Sequence, residues 1–232
     1  MKKGGLVILV LMLVSILMSC ENKSKTLAFI DGELELVEQP DGTKKLETIH
    51  RKVPAFALLN QDSVLVSNVK FDNQVYVANF IFTTCPSICK DMTTNMIELQ
   101  RMLQGLEGIR FISHSVNPTH DTPKILKAYA ESYGANLQQW DFVTGDKEEI
   151  YKLGLEGYLA AVGESEELGH GGFLHTEYFV LVDKNGFLRT GFDKNGNQRG
   201  AYDGTNLEDI RALYSDIKLL LKEKSDADLP KN

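Results

Sequence analysis

Between residues 53 and 222 the apolar positions follow two periods, and these alternate along the chain. Gln74 to Phe82 is an uncharged run rich in Val, Tyr, Phe and Ile, as in a strand buried on both faces. Ile109 to Val116 predicts a second buried strand, Trp140 to Thr144 a short third, and Val64 to Val69 a short one upstream. Met92, Met96, Leu99, Leu103 and Leu106 recur at helical spacing and predict a helix over about Lys90 to Leu106. Pro123 opens a helix through Tyr133 that Gly134 ends, and Lys147 to Leu153 reads as a short helix. Glu177 to Val182 and Phe187 to Phe192 alternate as a hairpin around the turn Asp183-Lys184-Asn185-Gly186. Asn206 caps a last amphipathic helix carrying Leu207, Ile210, Leu213, Ile217 and Leu220. Strands alternating with helices define an α/β fold: a mixed sheet with parallel members, flanked by helices, closing in a hairpin and a helix.

The N-terminus has a different composition. Met1-Lys2-Lys3, an apolar run from Leu6 to Met18 and then Ser19-Cys20 form an export signal, too short for a comfortable membrane span. Leu17-Met18-Ser19-Cys20 resembles a bacterial lipoprotein signal, in which the cysteine becomes the lipidated first residue. The expected division is a signal over residues 1–19 and a tether over 20–50 containing a short hairpin. A domain over 51–224 and a flexible tail over 225–232 follow. The domain is expected outside the cytoplasm, facing the periplasm and held to a membrane through Cys20.

Losing residues 1–19 removes two lysines and no acid, taking the net charge from −7 to −9. That balance argues against a nucleic-acid partner. With Cys20 assigned to lipidation, two cysteines remain of three, Cys85 and Cys89. One pair does not make a disulfide scaffold, so its role is expected to be chemical. The pair follows a buried strand, at the strand end where α/β sheets carry reactive groups. It leads into a helix whose start favours thiolate, with Pro86 suited to the first turn. Residues four apart on a helix have Cβ atoms about 5–6 Å apart, better for sharing a metal than for a relaxed disulfide.

Two thiolates suit Cu(I), which accepts few soft ligands, often with an imidazole, whereas zinc usually takes four. Of the five histidines, His175 is the best third donor, lying just before the strand that starts at Glu177. His114 falls mid-strand and is expected to be a satisfied core residue, and His50 lies in the tether. His120, in a loop at the functional end, is a candidate for supporting the ligands, and His170 is a candidate second ligand or an exposed loop residue. Met92 and Met96 fit core packing better than copper ligation.

Four segments together resemble the Sco/SenC family of copper chaperones over roughly residues 50–222. They are Thr84-Cys85-Pro86-Ser87-Ile88-Cys89, Ser115 to Pro123, Leu126-Lys127-Ala128-Tyr129-Ala130, and His175-Thr176 before Tyr178 to Asp183. The resemblance implies a thioredoxin-like fold and copper, as Cu(I) or Cu(II), on Cys85, Cys89 and His175. It also implies a role in building the copper centre of cytochrome c oxidase, by delivering copper to its copper-containing subunit or another acceptor, or by reducing the oxidase's own cysteines. Reduced thiols in an oxidising periplasm require a thiol reductant as a further partner. Lys90 and Asn117 depart from the family, which usually has Pro and Asp there; Lys90 places a cation beside the thiols. The competing reading makes Cys85 and Cys89 the redox-active pair of a thiol–disulfide oxidoreductase. Such enzymes use Cys-x-x-Cys and a cis-proline, yet no proline lies between 124 and 229.

Overall fold

The computed structural model describes residues 26–86, 88–164 and 172–225. Its centre is a mixed sheet built on β6 (Val75–Ile81), β7 (Ile109–Ser115) and β8 (Trp140–Thr144), which run parallel to one another. Every residue of β6 is buried, as its uncharged sequence requires. On one side β6 pairs antiparallel with β11 (Tyr178–Val182), then come β12 (Leu188–Thr190) and β1 (Ala28–Phe29). On the other side β8 pairs with β4 (Ala57–Asn60), and β4 with β5 (Leu65–Ser67). A two-residue strand, β13 (Tyr202–Asp203), also pairs with β11.

The helices flank this sheet. Helix α1 (Cys89–Met102) buries Met92, Met96 and Leu99 and packs on α2 (Pro123–Tyr133) and α4 (Leu207–Leu220). It is shorter than its apolar spacing predicts: Leu103 caps it, and Gly105 takes a positive φ of 84° that ends the helical path. Thr122 caps α2 by accepting from Ile125 N–H, and Gly134 closes it in the left-handed region. Asn206 caps α4 through Glu208 N–H. Helix α3 (Lys147–Lys152) continues as a π turn over Leu153–Gly157.

β1, β4 and a small hairpin late in the chain go beyond the sequence reading, while a ribbon near the N-terminus is the short hairpin expected in the tether. β4 lies upstream of the expected first strand and carries only four residues. β9 (Val162–Glu164) and β10 (Phe173–His175) form a separate small hairpin. The tether expected over 20–50 is partly structured: β1 joins the main sheet, and β2 (Glu33–Glu38) pairs with β3 (Lys44–Ile49) as an isolated ribbon. Buried Arg189 fastens this edge by donating to Leu27 O at 2.8 Å and to Asp183 Oδ2 at 2.7 Å. Among the described residues no helix is long and apolar enough to cross a membrane.

Candidate metal centre

The site sits beyond the carboxyl end of β6. Phe82 follows the strand and is buried; a tight turn then brings Cys85 N–H back to Phe82 O at 3.2 Å. Ile88 caps α1, and Cys89 is its first residue. The two cysteines are therefore not one turn apart on a regular helix. Cys85 belongs to the turn and Cys89 to the helix, and Pro86 lies before α1 rather than in its first turn. His175 ends β10, where it pairs with Val162 of β9, so it belongs to its own hairpin rather than to the approach to β11.

These separate elements bring three donors together. Both thiols and one His175 ring nitrogen lie within 4.8 Å of one another, all on buried residues. Cys89 Sγ is 3.0 Å from His175 Nε2. His175 Nδ1 is 3.0 Å from the Thr176 carbonyl. A carbonyl only accepts, so Nδ1 carries the proton and Nε2 keeps its lone pair toward the sulfurs. Phe82 stands edge-on to the imidazole, ring centres 5.6 Å apart at 82°, and closes the apolar side. No disulfide joins Cys85 and Cys89.

The helix start does not make Cys89 acidic. A hydrogen bond shared with Cys85 and burial together push its thiol well above the ordinary cysteine range. These effects outweigh the helix dipole, and Lys90 is exposed at the surface. Without a metal Cys89 is held protonated; a cation binding its sulfur must displace that proton.

The other histidines lie elsewhere. His50 stacks on Phe29, ring centres 3.9 Å apart, at the base of the β2–β3 ribbon. His114 is fully buried among Phe56, Phe80 and Tyr158, as expected of a core residue, but neither ring nitrogen has a hydrogen-bond partner. Burial drives its pKa down to about 3, so it is a neutral ring in an aromatic cage. His120 is half exposed and binds Asp121 Oδ1 at 2.9 Å, outside the donor cluster. Met92 and Met96 are fully buried in the core. Cys20 and His170, like the signal and the tail beyond 225, lie outside the described residues. Sequence reading passed over Asp121 as a site residue; its signal was an acid between Pro118 and Pro123, in a loop at the same end of the sheet as Cys85.

A mixed sheet flanked by helices, with a Cys–Cys–His donor set at the end of a central parallel strand, defines a thioredoxin-like protein with a candidate soft-metal site. The SCO1/SenC family pattern matches residues 44–206, and the chain belongs to that family. A SCO1 protein homolog of Bacillus subtilis (strain 168) is 35% identical over 179 residues, 76% of this chain and 86% of its own. A relative from Stutzerimonas stutzeri, named for copper binding, is 28% identical over 60% of this chain and 68% of its own. A SCO1/SenC family lipoprotein from Bacillus anthracis str. Ames superposes with a TM-score of 0.65 at 28% identity, covering 74% of this chain and 95% of its own. BsSco, described as carrying a disulfide switch and as one of the Sco family of cytochrome c oxidase assembly proteins, superposes at 0.64 with 32% identity. It covers 76% of this chain and 96% of its own.

Proposed function

We propose that this protein is a copper chaperone that takes one copper ion on Cys85 Sγ, Cys89 Sγ and His175 Nε2 and passes it on for cytochrome c oxidase assembly. The observation that carries this reading is the buried cluster of two sulfurs and one imidazole nitrogen within 4.8 Å. Its donors fit copper: two soft sulfurs and one imidazole satisfy an ion that accepts few ligands, and fall short of the four of a structural zinc site. Supporting it are the copper-binding name of the Stutzerimonas relative and the oxidase-assembly role stated for BsSco.

Copper is the cargo rather than a resident catalyst. As it enters, Cys85 and Cys89 give up their protons while His175, already carrying its proton on Nδ1, offers Nε2 with no proton loss. Release follows by ligand exchange with the thiolates or imidazoles of an acceptor. A lipid anchor at Cys20 places the domain on the periplasmic side of a membrane; the lipoprotein description of the Bacillus anthracis neighbour supports this arrangement.

The test is copper stoichiometry and the absorption spectrum of the reduced full chain beside Cys85→Ser and His175→Ala. One copper per chain, with a thiolate-to-Cu(II) band lost in both variants, is the expected result. No stable copper in the reduced protein overturns the reading and leaves the second one. In that second reading Cys85 and Cys89 reduce a client disulfide: two thiols become one disulfide as the client gains two, and a periplasmic reductant restores the pair. The disulfide switch described for BsSco favours keeping it in view.

A further inference from the structure

Asp121 is a fully buried carboxylate. A carboxylate taken from water is costly unless its oxygens are well satisfied, and here four donors reach them. Thr83 donates twice, through its backbone N–H at 3.1 Å and its hydroxyl at 2.5 Å. Ser115 hydroxyl donates at 2.6 Å, and His120 Nδ1 lies at 2.9 Å. Ser115 ends β7 and sits in register with Ile81, the last residue of β6. The carboxylate thus ties the ends of two central strands to the segment that leaves one of them.

That segment is the cysteine turn. Thr83 lies beyond the last ladder position of β6 and two residues before Cys85. The turn is closed by the bond from Cys85 N–H to Phe82 O and gripped from the side by Asp121. The other two donors have further anchors of their own: Cys89 starts α1, besides reaching the Phe82 backbone, and His175 pairs with Val162. We infer that Asp121 is the positioning residue of the site: it clamps Thr83 and so fixes Cys85, the donor whose turn it grips directly, in its place. The inference rests on the proposed metal site for its consequence, but the clamp is testable without metal.

The experiment uses the reduced full chain in detergent, metal-free, with Thr83→Val and Asp121→Asn. Thr83→Val keeps the side-chain shape and removes the hydroxyl at a half-buried position, so folding is not at stake; Asp121→Asn removes the charge behind both bonds. Alkylation of each cysteine by iodoacetamide is followed by mass spectrometry, with the melting temperature alongside. Cys85 is expected to react about tenfold faster in both variants, the effect of losing one charge-assisted hydrogen bond, while in Thr83→Val, which keeps the Asp121 charge, Cys89 changes less than about twofold. With Cu(II) added, the thiolate band shifts or weakens in the same order. Unchanged Cys85 reactivity and an unchanged band overturn the inference. So does an equal rise at both cysteines with a lowered melting temperature, which marks general loosening. If Cys85 accelerates selectively and neither native protein nor variant binds copper, the clamp stands and the copper reading falls.

Discussion

At the residue scale the decisive feature is where protons sit. Cys89 is held protonated by its neighbour Cys85 and by burial, whereas His175 already presents a lone pair. Copper uptake therefore competes with protons at the sulfurs. Apparent affinity is expected to fall as pH drops, by about tenfold per pH unit for each proton displaced; competition titrations between pH 6 and 8 read this directly. A flat profile means that the thiols are not ligands.

His114 has the opposite consequence, for stability rather than binding. Its pKa is about 3 in the fold and about 6.5 in the unfolded chain, so between these values the unfolded state binds one more proton. The stability this neutral ring contributes is fully present above pH 6.5 and is lost as pH falls toward 3. Relative to His114→Phe, the native protein is expected to lose about 2 kcal/mol between pH 7 and pH 5, measurable by urea unfolding at each pH. The sequence placed this histidine correctly in a core strand. It gave no sign that the ring nitrogens go without partners, because that depends on Phe56, Phe80 and Tyr158 closing around it.

At the element scale, His175 depends on a small hairpin that no periodicity announced. Strands β9 and β10 have three residues each, too few for alternation to register. They are held against the domain through the π turn after α3. A Cβ on Gly154 would overlap Val162 Cγ2 and lie 3.2 Å from Phe80 Cζ, and Val162 is the register partner of His175. Gly154→Ala is expected to destabilise the protein by about 1–3 kcal/mol and to displace β9. Its signature is a weakened copper–thiolate band, from a substitution at a residue outside the donor set. An unchanged band in a folded variant shows that β9 does not position the imidazole. The longer elements were legible because their information is local: Thr122, Asn206 and Gly134 all act where capping chemistry assigns them. Helix α1 is shorter than its spacing predicts because Gly105 turns the chain left-handed just after Leu103, while Leu106 still packs on the core beyond that turn.

At the scale of the whole molecule, the N-terminal segment is tied to the C-terminal one. Arg189 of β12 is buried and joins Asp183, Glu223 and the carbonyl of Leu27, so the residue before β1 and the segment after α4 meet on one guanidinium. Arg189→Ala leaves the Asp183 carboxylate buried without its cation. The expected loss is about 3–5 kcal/mol, seen as a lower urea midpoint with copper stoichiometry unchanged in the folded fraction. A loss under about 1 kcal/mol shows that the pair is solvated and that the edge strand is held by other means.

Local pattern along the chain was enough for the alternation of strands and helices, the stops at Gly134 and Gly186, and the cysteine pair beyond a central strand. Each of these rests on periodicity, capping or chemistry within a few residues. The strand order, the placing of β4 beside β8 and the hairpin that carries His175 to the sulfurs came only with the tertiary structure. Cys89 and His175 are 86 positions apart, and Asp121 reaches Thr83 across 38. Contacts at such separations are fixed by how the sheet closes, not by any pattern along the chain, and they assemble the candidate metal site.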